Sequence, residues 1–248
     1  QHGDYGLPPS EVSASLHAGL AMHYFKGAYY PRGGGQIIAD RLAQVIEANG
    51  GSVHLRKPIA EVMVEGGRAV GVRTETDRHG VCHEIRANTV LSNADIKQTF
   101  QRLVPAEHLP SEMPAKVEQM KMGGAIFMTF LGIKADLEAL GMRNSNYWQF
   151  DDYDSEAYYR ESRHVGEPRV HGCYITSATL KDPGTRGHAP EGVHSVEVMT
   201  LVPGESEAWG VPSNEVLSWQ YKRSERYQVL KEKIESDLVN RLESVFPG

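Results

Sequence analysis

Residues 29 to 35 read Tyr29-Tyr30-Pro31-Arg32-Gly33-Gly34-Gly35. No other stretch restricts the backbone as strongly. Pro31 sets its own φ, and three successive glycines leave no Cβ where the chain must bend. The run leads directly into a helical pattern. Ile38, Leu42, Val45 and Ile46 recur at helical spacing, and Asn49-Gly50-Gly51 supplies the stop. A bare, tightly bent turn that opens a helix can lie against a large flat or anionic ligand. On its own the signal is weak, and it gains meaning only in company with the residues downstream as far as Ser92-Asn93-Ala94-Asp95.

Upstream, residues 1–10 are rich in Gly and Pro and are expected to be irregular. Glu11 to Phe25 reads as a mostly buried helix ended by Gly27. Downstream, Val53-His54-Leu55 is a short strand. Ile59 to Glu65 and Arg68 to Thr74 form a hairpin about Gly66-Gly67, since a Gly pair between two strand-like runs is a hairpin signal. Val81 to Arg86 alternates like a strand. Asn93 or Asp95 can cap the helical run Ile96 to Leu103. Pro105, Pro110 and Pro114 mark a change of character, so a domain crossing is placed near residues 95–115. Beyond it, Ala125 to Ile133, Asn146 to Phe150, Val170 to Ile175 and His194 to Leu201 read as strands. Asp182-Pro183-Gly184 makes the intervening 181–192 segment a loop. Tyr227, Leu230, Ile234, Leu238 and Leu242 give one long amphipathic helix at the end.

A chain of 248 residues makes one large domain or two modest ones. A body of that size buries roughly 70–75% of its unfolded surface, so no staples are required. Hydrophobic residues at 40% and charged residues at 23% suit an ordinary globular protein. The net charge of −6 argues against a nucleic-acid partner, which would want a basic face. Cys82 and Cys173 form no CxxC and no ligand spacing. They read as reduced thiols of an intracellular protein, with a single bridge between them left open. No apolar run is long enough to span a bilayer, and no signal peptide is recognisable. Gln1-His2-Gly3-Asp4-Tyr5-Gly6 reads as mid-domain sequence without an initiating Met, so an excised fragment is expected.

Several segments together carry a resemblance. They are Gly3-Asp4-Tyr5-Gly6, then His23-Tyr24-Phe25-Lys26-Gly27-Ala28 running into Tyr29-Tyr30-Pro31-Arg32-Gly33-Gly34, then Gly50-Gly51-Ser52-Val53. Gly67-Arg68-Ala69-Val70-Gly71-Val72 and Leu91-Ser92-Asn93-Ala94-Asp95 follow, and fainter similarity runs on through Asn146-Tyr147-Trp148 and Asp182-Pro183 to Val202-Pro203. The combination resembles the middle part of the flavin-dependent phytoene desaturase and carotenoid isomerase family, nearest to its retinol saturase branch. It covers nearly the whole chain, most strongly residues 3–6 and 23–95. The resemblance implies an α/β to α+β architecture. Residues 1–97 would hold the end of a substrate-domain segment and the central strands of an FAD domain. Residues 98–248 would form a substrate domain with a mixed β-sheet and flanking helices. The family's GxGxxG turn, which holds the FAD pyrophosphate, is absent from these 248 residues, and so is its C-terminal return to the flavin. FAD is therefore expected in the full-length parent and not in this piece.

The resemblance also implies site residues. The backbone of Ile59 would pass the adenine in the intact enzyme, with a plain core-strand role as the alternative, favoured for this fragment alone. Ser92, Asn93 and Ala94 would sit near the cofactor where the chain leaves the FAD domain, with helix capping as the simpler role. Tyr29, Tyr30, Arg32, Gly33 and Gly34 would line a tunnel for a hydrophobic small-molecule substrate, against core packing for the tyrosines and an exposed Arg32. The parent would oxidise, saturate or isomerise C–C double bonds of a polyene or related lipid, passing hydride between substrate carbon and flavin. The isolated chain is expected to be inactive. A non-catalytic prenyl-binding module of related fold and a flavin amine oxidase are the alternatives. Location is cytoplasmic or at the membrane periphery. Peripheral contact suits a lipid substrate, yet no basic amphipathic helix demands it, and the oligomeric state is open. No catalytic acid, base or nucleophile stands out, which is compatible with flavin chemistry. His79 and His83 flank a turn, so a metal pair is not expected. Asp151, Asp152, Asp154 and Glu156 read as a solvated loop.

Overall fold

The structure is a computed structural model and describes residues 6–120, 124–164, 167–212 and 220–248. The Gly3-Asp4-Tyr5 part of the motif lies outside these residues. The chain divides into two compact units, Gln1–Arg41 with Met122–Gly248, and Leu42–Lys121.

The second unit is built on a hairpin. Strand β1 (Ile59–Glu65) pairs antiparallel with β2 (Arg68–Thr74), and β2 pairs with β3 (Glu84–Arg86), giving the order β1-β2-β3. Gly66 and Gly67 both take positive φ, +57° and +77°, which is why the pair turns the chain without a steric penalty. Helix α2 (Gln36–Ala48) enters this unit. Its expected stripe is present, but Ile38, Leu42, Val45 and Ile46 are all exposed. The short α3 (Ile96–Gln98) continues as a π-turn through Thr99–Leu103. Its cap is Asp95, whose carboxylate accepts from the Gln98 N–H at 3.0 Å. Helix α4 is Met113–Glu118. The expected strand at 53–55 is irregular, and the one at 81–86 shortens to β3.

In the first unit, α1 (Ala14–Phe25) forms as expected, but it has no buried residue, so the reading of a mostly buried segment is corrected. The sheet comprises β4 (Ala125–Ile133), β5 (Tyr147–Phe150), β6 (Gly172–Thr176) and β7 (His194–Val202) in the order β4-β7-β6-β5. Every pair is antiparallel, which corrects the expected mixed sheet. Strand direction is set by which strands pair in space, and an alternating apolar pattern does not encode it. The helices between these strands are α5 (Ser155–Ser162) and α6 (Ala178–Lys181). The last helix, α7 (Glu225–Val245), is capped by the Ser224 hydroxyl and buries Leu230, Ile234, Leu238 and Leu242.

Pleating divides the sheet residues between two faces. One face packs Ile175, Val196 and Val198 against Ile234 and Leu238, and these five are completely buried. Each such side chain contributes roughly 1.5–3 kcal/mol. Arg241 of α7 ties this core to the strand ends by donating to Gln149 Oε1 and to the Val170 carbonyl, each at 2.9 Å, and by pairing with Asp151 at 2.9 Å. The acidic stretch around Asp151 is thus structural, since Asp154 also caps α5 through the Ala157 N–H. Cys173 lies in this core and burial pushes its thiol up to about 11. Both cysteines are free. Among the described residues there is no cluster able to hold a metal ion, and no helix is long and apolar enough to cross a membrane.

Candidate functional site

The other face of the four-stranded sheet is unlike the core. Register places Phe130 of β4 opposite Glu197 of β7, Met128 opposite Met199, and Trp148 of β5 opposite Tyr174 of β6. This face is aromatic and sulfur-rich, yet it is left partly open, with Phe130 71% exposed. Trp148 meets Tyr174 edge-on at 4.7 Å and stacks with Phe150 at 6.1 Å. Such surfaces supply broad apolar contact to a flat ligand.

At the Phe130 end of this face lies a cavity of about 630 Å³, within the range of ligand pockets. The glycine turn forms one wall through Tyr30, Gly33 and Gly34. Phe130, Leu131, Ser195 and Glu197 form the sheet side, and His188 with Pro190 closes the loop side.

Local chemistry explains how the turn reaches the cavity. The Gly34 N–H donates to the Pro31 carbonyl at 3.0 Å, and Gly33, with φ +94°, occupies the position that requires a residue free to take positive φ. The Gly33 N–H then donates to Asp182 Oδ2 at 2.6 Å, and His188 Nε2 bonds the same oxygen at 3.1 Å. The Asp182 carboxyl is held down to about 2 by hydrogen bonds from the Thr185 side chain, the Gly33 N–H and His188, in that order around one burial cost. Gly34 has φ +78°, and a Cβ there would stand 2.9 Å from His188 Cε1. The turn is therefore clasped by the 182–188 loop, with imidazole filling the space that the missing side chain leaves.

Tyr30 sits between opposite charges. Lys181 Nζ lies 5.4 Å from its ring centroid, a cation–π distance. Burial, then the negative charges of Glu197 and Asp182, raise the Tyr30 phenol. Burial lowers the Lys181 ammonium, and Glu197 opposes that shift.

Asp182→Ala is expected to release the clasp. Hydrogen exchange at the Gly33 amide should quicken, while α7 amides stay slow as an internal control. In the native protein the depressed carboxyl sets the sign. Its contribution is complete above the ordinary carboxylate value of about 4 and fades as pH falls through about 2. Gly33 protection unchanged by Asp182→Ala would discard the clasp.

Of the residues singled out from the sequence, Tyr30, Gly33 and Gly34 meet at this cavity. Tyr29 is 89% exposed, and Arg32 is exposed outside the lining. In the other unit, Ile59 opens β1 opposite Thr74. The Thr74 N–H points to β3, where it donates to His83 O, while Glu75 N–H reaches Pro58 O. Ile59 thereby directs its own N–H and C=O away from β2, to the free edge of the sheet. Ser92 bonds Thr99 Oγ1 at 2.8 Å, and Ser92, Asn93 and Ala94 are exposed. Sequence reasoning missed Lys181, Asp182, His188 and Glu197 as site residues. Asp182 was legible as the start of an Asp-Pro-Gly turn and as part of the fainter family similarity, not as a site residue.

The sheets and helices define an α+β module with an open apolar face, and comparison with known proteins gives the family. No family model matches the chain. The inactive all-trans-retinol 13,14-reductase of Danio rerio is 31% identical over 211 residues, 82% of this chain and 34% of that protein. The all-trans-retinol 13,14-reductase of Rattus norvegicus is 28% identical over 254 residues, 98% of this chain and 40% of that protein. A 4,4'-diapophytoene desaturase of Methylomonas sp is 33% identical over 128 residues, 52% of this chain and 24% of that protein. The crystal structure of an oxidoreductase from Methanosarcina mazei shares the fold, with TM-score 0.55 and 18% identity over 98% of this chain and 47% of that one. The chain belongs to the phytoene desaturase, carotenoid isomerase and retinol saturase-like family. It spans between a third and two-fifths of the length of the two retinol reductase relatives.

Proposed function

We propose that this chain is part of an FAD-dependent oxidoreductase acting on C–C double bonds of a hydrophobic polyene or related lipid, and that its four-stranded sheet carries the substrate. The observation behind this reading is the open aromatic face ending in a cavity walled by the Tyr30-to-Gly34 turn. Residues 98–248 serve as the substrate domain in this reading, and the strands before them belong to the cofactor domain. Relatives named as a retinol reductase, a diapophytoene desaturase and a prolycopene isomerase support the substrate class.

FAD fits these residues in part. The outward-facing N–H and C=O of Ile59 on the free edge of β1 suit the edge of an adenine base. Ser92, Asn93 and Ala94 are accessible for a cofactor contact. The glycine turn that cradles a pyrophosphate is not among the 248 residues, so no chemical step through the flavin is derived. When bound, the flavin would supply hydride chemistry, and this chain would orient the substrate and exclude water. After incubation with FAD and desalting, the chain should be colourless. Flavin absorbance near one equivalent would mean that a complete cofactor site lies within it.

Titration with all-trans-retinol tests the substrate class. Saturable quenching of tryptophan emission is expected, because Trp148 stands on the proposed face. Phe130→Asp should weaken binding by roughly tenfold or more, since it puts a charge on an apolar contact surface. No saturable quenching, or none lost in Phe130→Asp, would remove the reading. A non-catalytic lipid carrier predicts the same binding without turnover in the longer protein.

A further inference from the structure

We propose that Glu197 reads the head group of the ligand, its carboxylate accepting a hydrogen bond from a hydroxyl at the end of an otherwise apolar molecule. This deepens the reading of the cavity as a polyene site and rests on it.

Four observations converge on Glu197. Its neighbours along β7, Val196 and Val198, are fully buried in the core, so Glu197 projects from the opposite face. There it is paired across the sheet with Phe130 on one side and Thr176 on the other. Among the described strand positions of that face it is the sole charged residue, and it lines the cavity. It is half-buried.

The polar groups nearest this carboxylate make their own contacts. Thr176 Oγ1 donates to Asn146 Oδ1 at 3.1 Å, and Lys181 lies over the Tyr30 ring. Among the described residues no hydrogen bond or ion pair reaches the Glu197 carboxylate, although its charge is felt by Tyr174, Tyr30 and Lys181. Ser195, two residues along the same face and lining the same cavity, leaves its Oγ buried and without a partner. Partly buried polar groups without partners are costly, and a ligand that supplies the missing donor recovers that cost.

The chemistry selects among ligands. An alcohol can donate to the carboxylate. An ether of the same shape cannot donate, and a hydrocarbon leaves Glu197 desolvated with nothing in exchange. A protein built only to hold a hydrocarbon would gain by an apolar residue at this position. Its presence on this face fits a hydroxyl-bearing ligand.

The experiment compares all-trans-retinol with its methyl ether by tryptophan quenching, using the 248-residue chain. The alcohol should bind roughly ten- to a hundredfold more tightly, the range for a hydrogen bond to a charged group. In Glu197→Met the two ligands should bind within about twofold of each other, with ether binding kept or improved, and Glu197→Gln should fall between. Equal affinities in the native chain would overturn the proposal without any variant being needed. So would a preference for the alcohol that survives in folded Glu197→Met. Saturable binding of neither ligand would instead overturn the polyene reading on which the proposal stands.

Discussion

Leu238→Ala is expected to destabilise the unit that carries the cavity by about 2–5 kcal/mol, the range for emptying a well-packed aliphatic position. Leu238 is completely buried and belongs to one cluster with Ile175, Val196, Val198 and Ile234. Its side chain holds α7 against the core face of the sheet. The opposite face of those strands is the proposed ligand surface, so the same substitution should loosen the site without touching it. Urea unfolding followed by circular dichroism would report the loss as a lower midpoint at nearly constant slope. Val229→Ala, at an exposed position of the same helix, should change stability by less than about 0.5 kcal/mol and serves as the control. A cost for Leu238→Ala no larger than that of the control would mean that α7 does not close this core.

Gly71→Ala should be about as damaging to the other unit, at about 3 kcal/mol or more. Gly71 sits in the central strand of the small sheet, opposite Met63 on one side and Arg86 on the other. Its φ is +154°, and an added Cβ would stand 2.2 Å from the Ile85 carbonyl oxygen and 2.8 Å from Met63 Cε. The methionine could move, but the carbonyl belongs to the ladder and cannot shift without breaking it. Amide protection along β1 and β2 should collapse in this variant. Protection retained at Val62 and Val72 would show that the bulged register absorbs the methyl group.

Much of the local structure was legible from residues alone. The hairpin about Gly66-Gly67, the strand Ala125 to Ile133 and the helix carrying Leu230, Ile234, Leu238 and Leu242 all form where their patterns place them. Each rests on short-range physics, a turn that needs positive φ or a repeat of 2 or 3.6 residues. Patterns misled where they were asked about partners. The stripe of α2 marks an apolar face correctly, but periodicity says nothing about whether another surface covers it, and here Ile38, Leu42, Val45 and Ile46 remain exposed. The buried α1 failed for the same reason, since apolar content was read as burial. Asn93 and Asp95 were equal as caps until geometry put the Asp95 carboxylate on the Gln98 N–H.

What the sequence determined by itself is the bent, bare turn from Pro31 to Gly35, the secondary structure on either side of it, and the family resemblance carried by those residues. The tertiary structure decided what the turn packs against. Gly33 meets Asp182 across 149 residues of chain. Glu197 faces Phe130 only because β7 pairs with β4 rather than with a parallel neighbour. Such contacts depend on strand order and register, and a one-residue slip would send Glu197 into the core and Val196 into the cavity. No local pattern encodes that choice, because it is made by the packing of the whole sheet against α7.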